Sequence, residues 1–288
     1  MHVLCILSTK GGVGKTTVAA NLGGILADAG KRVLLLDLDI QPTLSSYFGL
    51  AYEAPGGIYE LIALNDCRPE QVVSRTVIPD LDLILSNDDQ GKLATLLLHA
   101  PDGRVRLCHL LDRFRTDYDL MLIDTQGARS VLLEMAVLAS DCVLSPITPE
   151  MLAAREFRRG TLRLLDDLRP FQRLGFATPP LSIVLNRADT VSLDARLIMQ
   201  GLRRTFATDA GIEVLDSVIP SLVAYRQAAT LGQPVHRLET CKPKGRRAPA
   251  ALDTMRDFAR ELFPQWAAEL ALVNGQRPSV PVVRELLS

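Results

Sequence analysis

The chain has 288 residues, 48% of them hydrophobic and 23% charged, enough to bury a large core and too apolar for a disordered polymer. Its 32 basic and 33 acidic residues leave a formal net charge of −1, which argues against a strongly basic protein that holds nucleic acid through its overall field. Cysteines at 5, 67, 108, 142 and 241 form no C-x-x-C and no Cys/His spacing suited to a metal, so they read as buried small residues in a reducing compartment.

Along the chain an α/β rhythm follows. Residues 3–8 form a short apolar strand, 15–29 a helix that stops before Gly30, and Arg32–Asp37 a second strand, together a βαβ unit. Further buried-type strands are predicted at Leu81–Leu85, Leu120–Asp124, Cys142–Pro146, Leu181–Asn186 and Glu213–Ile219. Helical patterns separate most of them, which gives a single doubly wound, mostly parallel sheet flanked by helices. Lys242-Pro243-Lys244-Gly245-Arg246-Arg247 reads as a basic loop. Residues 250–272 carry helical spacing with a break or kink at Pro264, and the stretch from Asn274 reads as irregular.

The segment Lys10-Gly11-Gly12-Val13-Gly14-Lys15-Thr16-Thr17, directly after the first strand, is a phosphate loop. Its glycines permit backbone angles that let successive N–H groups converge on phosphate oxygens, and the helix beginning near Lys15 adds its positive dipole end. Lys15 would reach the β- and γ-phosphates, Thr16 would complete a Mg²⁺ shell, and Thr17 would bond the α-phosphate. Thr9 stands where the usual G-x-x-x-x-G-K-[ST] loop has its first glycine, and Lys10 follows it. Two carboxylates, Asp39 in Leu36-Asp37-Leu38-Asp39-Ile40-Gln41 and Asp124 at the end of Leu120–Asp124, fall at carboxyl ends of strands, where an α/β sheet presents ligands.

The form K-G-G-x-G-K-[ST] resembles the deviant Walker A loop of the ParA/MinD superfamily, the ParA-type partition ATPases. That resemblance implies an ATPase using ATP and Mg²⁺, with residues 1–240 as the ATPase domain. Residues 241–288 remain as a basic loop, C-terminal helix and tail for packing or partner docking. It implies an ATP-sandwiched homodimer in which Lys10 reaches the partner's phosphates in trans. Asp39 matches the aspartate that positions the attacking water, and Asp124 the Walker B acid that holds Mg²⁺ through a water, with Asp37 supporting the loop. Departures are Ile40 for the family's proline, Pro42-Thr43 for its Gly-Asn or Gly-Ser, and Thr125-Gln126-Gly127 for its Thr-Pro-Pro, where glycine should make the loop more pliable. Ile183-Val184-Leu185-Asn186-Arg187 resembles the nucleotide-base strand and Ile219-Pro220 the loop over adenine, so Asn186 and Pro220 enter as base contacts. Asn186 also reads as a strand-end turn residue.

ParA-type relatives grip DNA without sequence preference through Lys and Arg on one face of the dimer. Candidates here are Arg187, Arg196, Arg203, Arg204 and Arg226, with Lys242, Lys244, Arg246 and Arg247 as a second patch. Partners implied are non-specific DNA and a ParB-like centromere-binding activator; the alternatives are a ParA-like positioning ATPase for a protein cargo and, behind it, a MinD-type membrane-surface ATPase. The start at the P-loop strand implies no N-terminal helix-turn-helix domain and no operator repression. No apolar run approaches the roughly 20 residues of a membrane span. Met1-His2-Val3 is unlike a signal peptide, and Val280–Ser288, with one basic residue and no aromatic, is a poor amphipathic anchor. These features predict a cytoplasmic protein, nucleoid-associated when ATP-bound, without stable membrane association. The cysteine pairs of an iron–sulfur relative are absent.

Overall fold

In the computed structural model, which describes residues 1–189, 193–206 and 211–275, nine strands share one sheet. They are β1 (His2–Ile6), β2 (Val33–Asp37), β3 (Leu50–Tyr52), β4 (Ser74–Thr76), β5 (Leu81–Ile84), β6 (Leu120–Asp124), β7 (Cys142–Ile147), β8 (Leu181–Ala188) and β9 (Ile212–Pro220). The order is β3-β4-β5-β2-β6-β1-β7-β8-β9. Pairing is parallel except around β4, which runs antiparallel to β3 and to β5. Strands β3 and β4 were not legible in the sequence, because three residues with an exposed Arg75 carry no periodic signal.

The helices are α1 (Lys15–Asp28), α2 (Ile58–Ala63), α3 (Pro69–Val72), α4 (Lys92–His99), α5 (Arg106–Leu110), α6 (Val131–Leu138) and α7 (Met151–Phe157). They continue with α8 (Arg163–Leu168), α9 (Leu193–Phe206), α10 (Val223–Leu231), α11 (Val235–Leu238), α12 (Ala251–Leu262) and α13 (Ala267–Leu272). A π-helical turn, Arg158–Leu162, joins α7 to α8.

Continuous apolar strands demand cover on both faces, and the side-chain alternation shows how they get it. Val3 and Cys5 of β1, Leu34 and Leu36 of β2, and Met121 and Ile123 of β6 face one core, closed by α2 and α4–α9. Leu4 and Ile6, Val33 and Leu35, and Leu120 and Leu122 face the other, closed by α1, α10 and α12. Leu252, Met255, Phe258 and Ala259 of α12 join Val18, Leu22 and Ile25 of α1 in that second core, so the chain beyond residue 240 packs on the phosphate-loop helix. Asp28, the last residue of α1, accepts bonds of 2.7 Å from Arg237 Nε and His236 Nε2 on α11. Lys31 holds Glu269 of α13 at 2.7 Å and lies over the Trp266 ring.

Two expectations need correction or delimiting. Cys5 is buried, but Cys67, Cys108 and Cys142 are partly exposed and Cys241, at the start of the basic loop between α11 and α12, is exposed. The stretch expected to be irregular is described only as far as Gly275, and Val280–Ser288 lies outside the described residues. Among the described residues, no helix is long and apolar enough to cross a membrane.

Candidate nucleotide site

Parallel registry brings the carboxyl ends of β1, β2, β6, β7, β8 and β9 to one edge, and β1 lies between β6 and β7 at the point where the strand order turns back. Such a crevice is where a doubly wound sheet takes a ligand. Gly12 and Gly14 adopt φ of 76° and 89°, and Gly14 is the N-cap of α1. Helix α1 has no side-chain cap and no acidic residue in its first turn, so its leading amides and positive end are left for an anion. A Cβ added at Gly11 or Gly12 would meet nothing within 4 Å, which leaves the cradle open to phosphate.

Three contacts shape this loop. Asn186 Nδ2 donates to the Val13 carbonyl at 2.7 Å, and Asn186 Oδ1 accepts the Arg187 backbone N–H at 2.9 Å. Gly127 lies so close to the loop that an added Cβ would be 2.7 Å from Gly11 Cα. Its glycine serves close backbone approach, a different reason from the pliability expected of it. On the other side, a methyl at Gly160 in the π-turn would overlap the Thr9 hydroxyl.

Below the loop Thr16 Oγ1 donates to Asp124 Oδ2 at 2.6 Å. Asp124 is fully buried, and burial pushes its carboxyl up to about 7, against the pull of the Thr16 bond. Lys15 is also buried; loss of water lowers its pKa, while Asp124 and Asp39 oppose that shift. A hydroxyl and a carboxylate side by side, both hard oxygen donors and under-solvated, fit a Mg²⁺ ion that keeps most of its shell as water and phosphate oxygen. Asp37 is paired in register with Asp124 but turns to the loop: Ser45 N and Oγ donate to it at 2.8 and 2.7 Å, and Asp39 N at 3.1 Å. Burial raises its carboxyl to about 6 despite these bonds. Asp39 is partly exposed at the rim, accepting Gln41 N at 3.0 Å, with its carbonyl held by Ser86 Oγ at 2.6 Å.

Lys10 points to its own α7. Its Nζ lies 3.2 Å from Glu156 and 3.5 Å from Glu150, and the Glu156 bond leads the causes that raise its pKa. Sequence reasoning missed Glu150, Glu156 and Gly160, which lie 140 to 150 residues downstream in no recognisable motif. Of the residues expected to contact the base, Asn186 is buried with its amide bonded to the phosphate loop, and Pro220 ends β9, registered with Ala188.

The arginines proposed for DNA spread over several elements. Arg187 projects over the phosphate loop, its Nε 3.6 Å from where a Gly14 Cβ would stand. Arg196, Arg203 and Arg204 are exposed on the outer side of α9, whose Ile198, Met199, Leu202 and Phe206 are buried. Arg203 is ion-paired with Asp216. Arg226 is exposed on α10. In the second patch Arg246 is engaged by Glu239 at 2.6 and 2.7 Å and by the Pro249 carbonyl, which leaves Lys242, Lys244 and Arg247 exposed.

A doubly wound sheet with this glycine loop and a hydroxyl–carboxylate pair beneath it defines a P-loop nucleoside-triphosphatase fold. A family model described as an AAA domain matches residues 1–173. The sporulation initiation inhibitor protein Soj of Bacillus subtilis is 28% identical over 273 residues, covering 89% of this chain and 98% of its own length. The chromosome partitioning protein ParA of Caulobacter vibrioides is 30% identical over 240 residues, 82% of this chain and 86% of its own. A solved ATP complex of a Cyanothece McdA variant shares the fold with a TM-score of 0.74 at 24% identity, covering 97% of this chain and 99% of that one. The chain belongs to the ParA-type partition ATPases, the ParA/Soj/MinD group with the deviant Walker A loop.

Proposed function

We propose that the protein is an ATP-driven partition switch. Two copies close over two ATP molecules, the dimer holds DNA without sequence preference, and a ParB-like centromere-binding partner triggers hydrolysis and release. The observation that carries this reading is the Thr16–Asp124 pair at 2.6 Å beside buried Lys15, under an uncapped α1. A scaffold without hydrolysis has no need for Asp39 at the rim of such a site. On this reading the protein is cytoplasmic, gathers on the nucleoid when ATP-bound, and has no stable membrane association.

The chemistry is transfer of a phosphoryl group to water. Backbone N–H groups of residues 11–17 and the α1 dipole hold the phosphates, and Lys15 offsets charge on the β- and γ-phosphates. Lys10 does the same for the partner's nucleotide once it leaves Glu150 and Glu156. Asp39 orients the attacking water. Thr16 and Asp124 would hold Mg²⁺, directly and through a water, and the ion would neutralise charge on the β- and γ-oxygens. Arg196, Arg203, Arg204 and Arg226 supply phosphate contacts to DNA, which give affinity rather than base reading.

The test is retention of unrelated DNA fragments with ADP, ATP and a slowly hydrolysed analogue across a salt series. ATP-dependent, salt-sensitive and sequence-independent retention is expected. Lys15→Ala should lose it and Asp39→Ala should keep it. Equal retention with ADP and ATP would overturn the switch. ATP-dependent dimers that retain no DNA would point instead to a protein cargo.

A further inference from the structure

Arg187 has three properties that together set it apart. Its backbone stands at φ 55°, the left-handed region that a non-glycine residue occupies at a cost. That conformation is held on both sides: the N–H by Asn186 Oδ1, and the next residue, Ala188, by registry with Pro220 and by its carbonyl accepting Ser221 N at 2.9 Å. Its side chain is exposed, and its guanidinium makes no hydrogen bond or ion pair with any described residue, unlike Arg203, paired to Asp216, or Arg246, paired to Glu239. The strained backbone thus supports an unspent cation that lies over Gly14, at the N-terminus of α1.

Strand order says which part of a ligand it faces. The Thr16–Asp124 pair lies on the β6 side of β1, whereas Arg187 is on β8, two strands beyond β1 in the other direction, about 10 Å from β1 and about 14 Å from β6 at the usual strand spacing. A nucleotide with its terminal phosphates near Thr16 therefore runs its ribose and base across the α1 N-terminus toward β8 and Pro220.

We propose, building on the nucleotide-site reading above, that Arg187 takes the base end of a purine nucleotide bound in its own chain, the guanidinium plane lying against the purine ring. Arg187 then leaves the set of DNA contacts. A planar, weakly hydrated cation on a π-face suits this place, and the aliphatic stem covers ring surface. Asn186 becomes a positioning residue, joining the base strand to the phosphate loop through Val13.

The experiment is calorimetric titration of the full chain with Mg²⁺–ATP, Mg²⁺–ADP and Mg²⁺–pyrophosphate, for wild type, Arg187→Ala, Arg187→Lys and Arg187→Gly. Arg187→Ala should weaken ATP and ADP alike, by roughly five- to tenfold, and leave pyrophosphate unchanged. Arg187→Gly, which suits the left-handed backbone, should melt higher than wild type yet bind ADP as weakly as the alanine variant. Arg187→Lys should recover part of the affinity. DNA retention at saturating ATP should match wild type. Unchanged ADP affinity, an equal loss for pyrophosphate, or lost DNA retention with nucleotide affinity intact would each overturn the proposal. Wild type binding no nucleotide at all would instead remove the nucleotide-site reading itself.

Discussion

Lys10 Nζ lies 3.2 Å from the Glu156 carboxylate of its own chain, with Glu150 at 3.5 Å on the other side. The lysine proposed to serve the partner's nucleotide is therefore occupied at home. Glu150 is exposed, so its pair is weak and screened by water and salt; Glu156 is only partly exposed, with Oε2 shielded from solvent, and its contact is the one that holds Lys10 back from a phosphate.

Glu156→Gln should ease the release of Lys10 and tighten the ATP-dependent dimer by roughly two- to fivefold, and Glu150→Gln/Glu156→Gln further. Lys10→Ala should bind ATP yet stay monomeric. Sedimentation in an Asp39→Ala background, where ATP persists, measures both. An unchanged dimer constant in the double variant would show that the contact does not restrain Lys10.

Gly160 should be intolerant of a side chain because its methyl would overlap the Thr9 hydroxyl within a packed π-turn. Gly160→Ala is expected to cost about 1–3 kcal/mol of stability and to slow turnover through a displaced Lys10. Thr9→Gly should rescue it, a coupling that urea unfolding and ATPase assays of the four-member cycle would measure. Additive effects would mean the two residues do not communicate.

Asp124 has its carboxyl pushed up to about 7 by burial, and Asp37 to about 6. A raised carboxyl means that the folded state holds protons the unfolded chain has released. Nucleotide-free stability should therefore fall as pH rises from about 4 to 7, at up to about 1.4 kcal/mol per pH unit for each group, and level off above. Asp124→Asn should flatten that slope and stabilise the empty protein at pH 8. The same variant should lose the strengthening of ATP binding by Mg²⁺, which in wild type should grow with pH until Asp124 is ionised.

Asp28 behaves in the opposite sense. Burial would raise its carboxyl, but bonds from Arg237 and His236 outweigh that and hold it down at about 2. Stability from this anchor should be present above about pH 4 and be lost as pH falls through 2. Asp28→Asn strands the nearly buried Arg237 guanidinium and should cost about 3–5 kcal/mol in urea unfolding at pH 7, with a shallower acid limb. Wild-type stability in this variant would show that α11 is not tied to α1 by charge.

The phosphate loop, both acids at strand ends and the α/β order were legible in the sequence because each depends on neighbours in the chain. Apolar runs of five or six residues mark strands buried on both faces, as Leu120–Asp124 does, and glycines mark a backbone that must turn. The three-residue strands β3 and β4 were hidden, since pairing at a sheet edge leaves almost no local pattern. A boundary at residue 240 rests on a basic loop, and composition could not reveal that α12 packs on α1.

Sequence alone marked a glycine-rich loop of the phosphate-binding type and the lysine that is unusual in it; a motif fixes residue types at set spacing, and spacing along the backbone is what a loop requires. Tertiary structure decided where the charges go. It gave Lys10 to Glu156, turned Asp37 toward Ser45, seated Gly127 on Gly11, and lifted Arg187 over the phosphate loop. Apart from Asp37 and Ser45, those partners lie far apart in the chain, and only the packing of β6, β7, β8 and the π-turn around β1 brings them into contact.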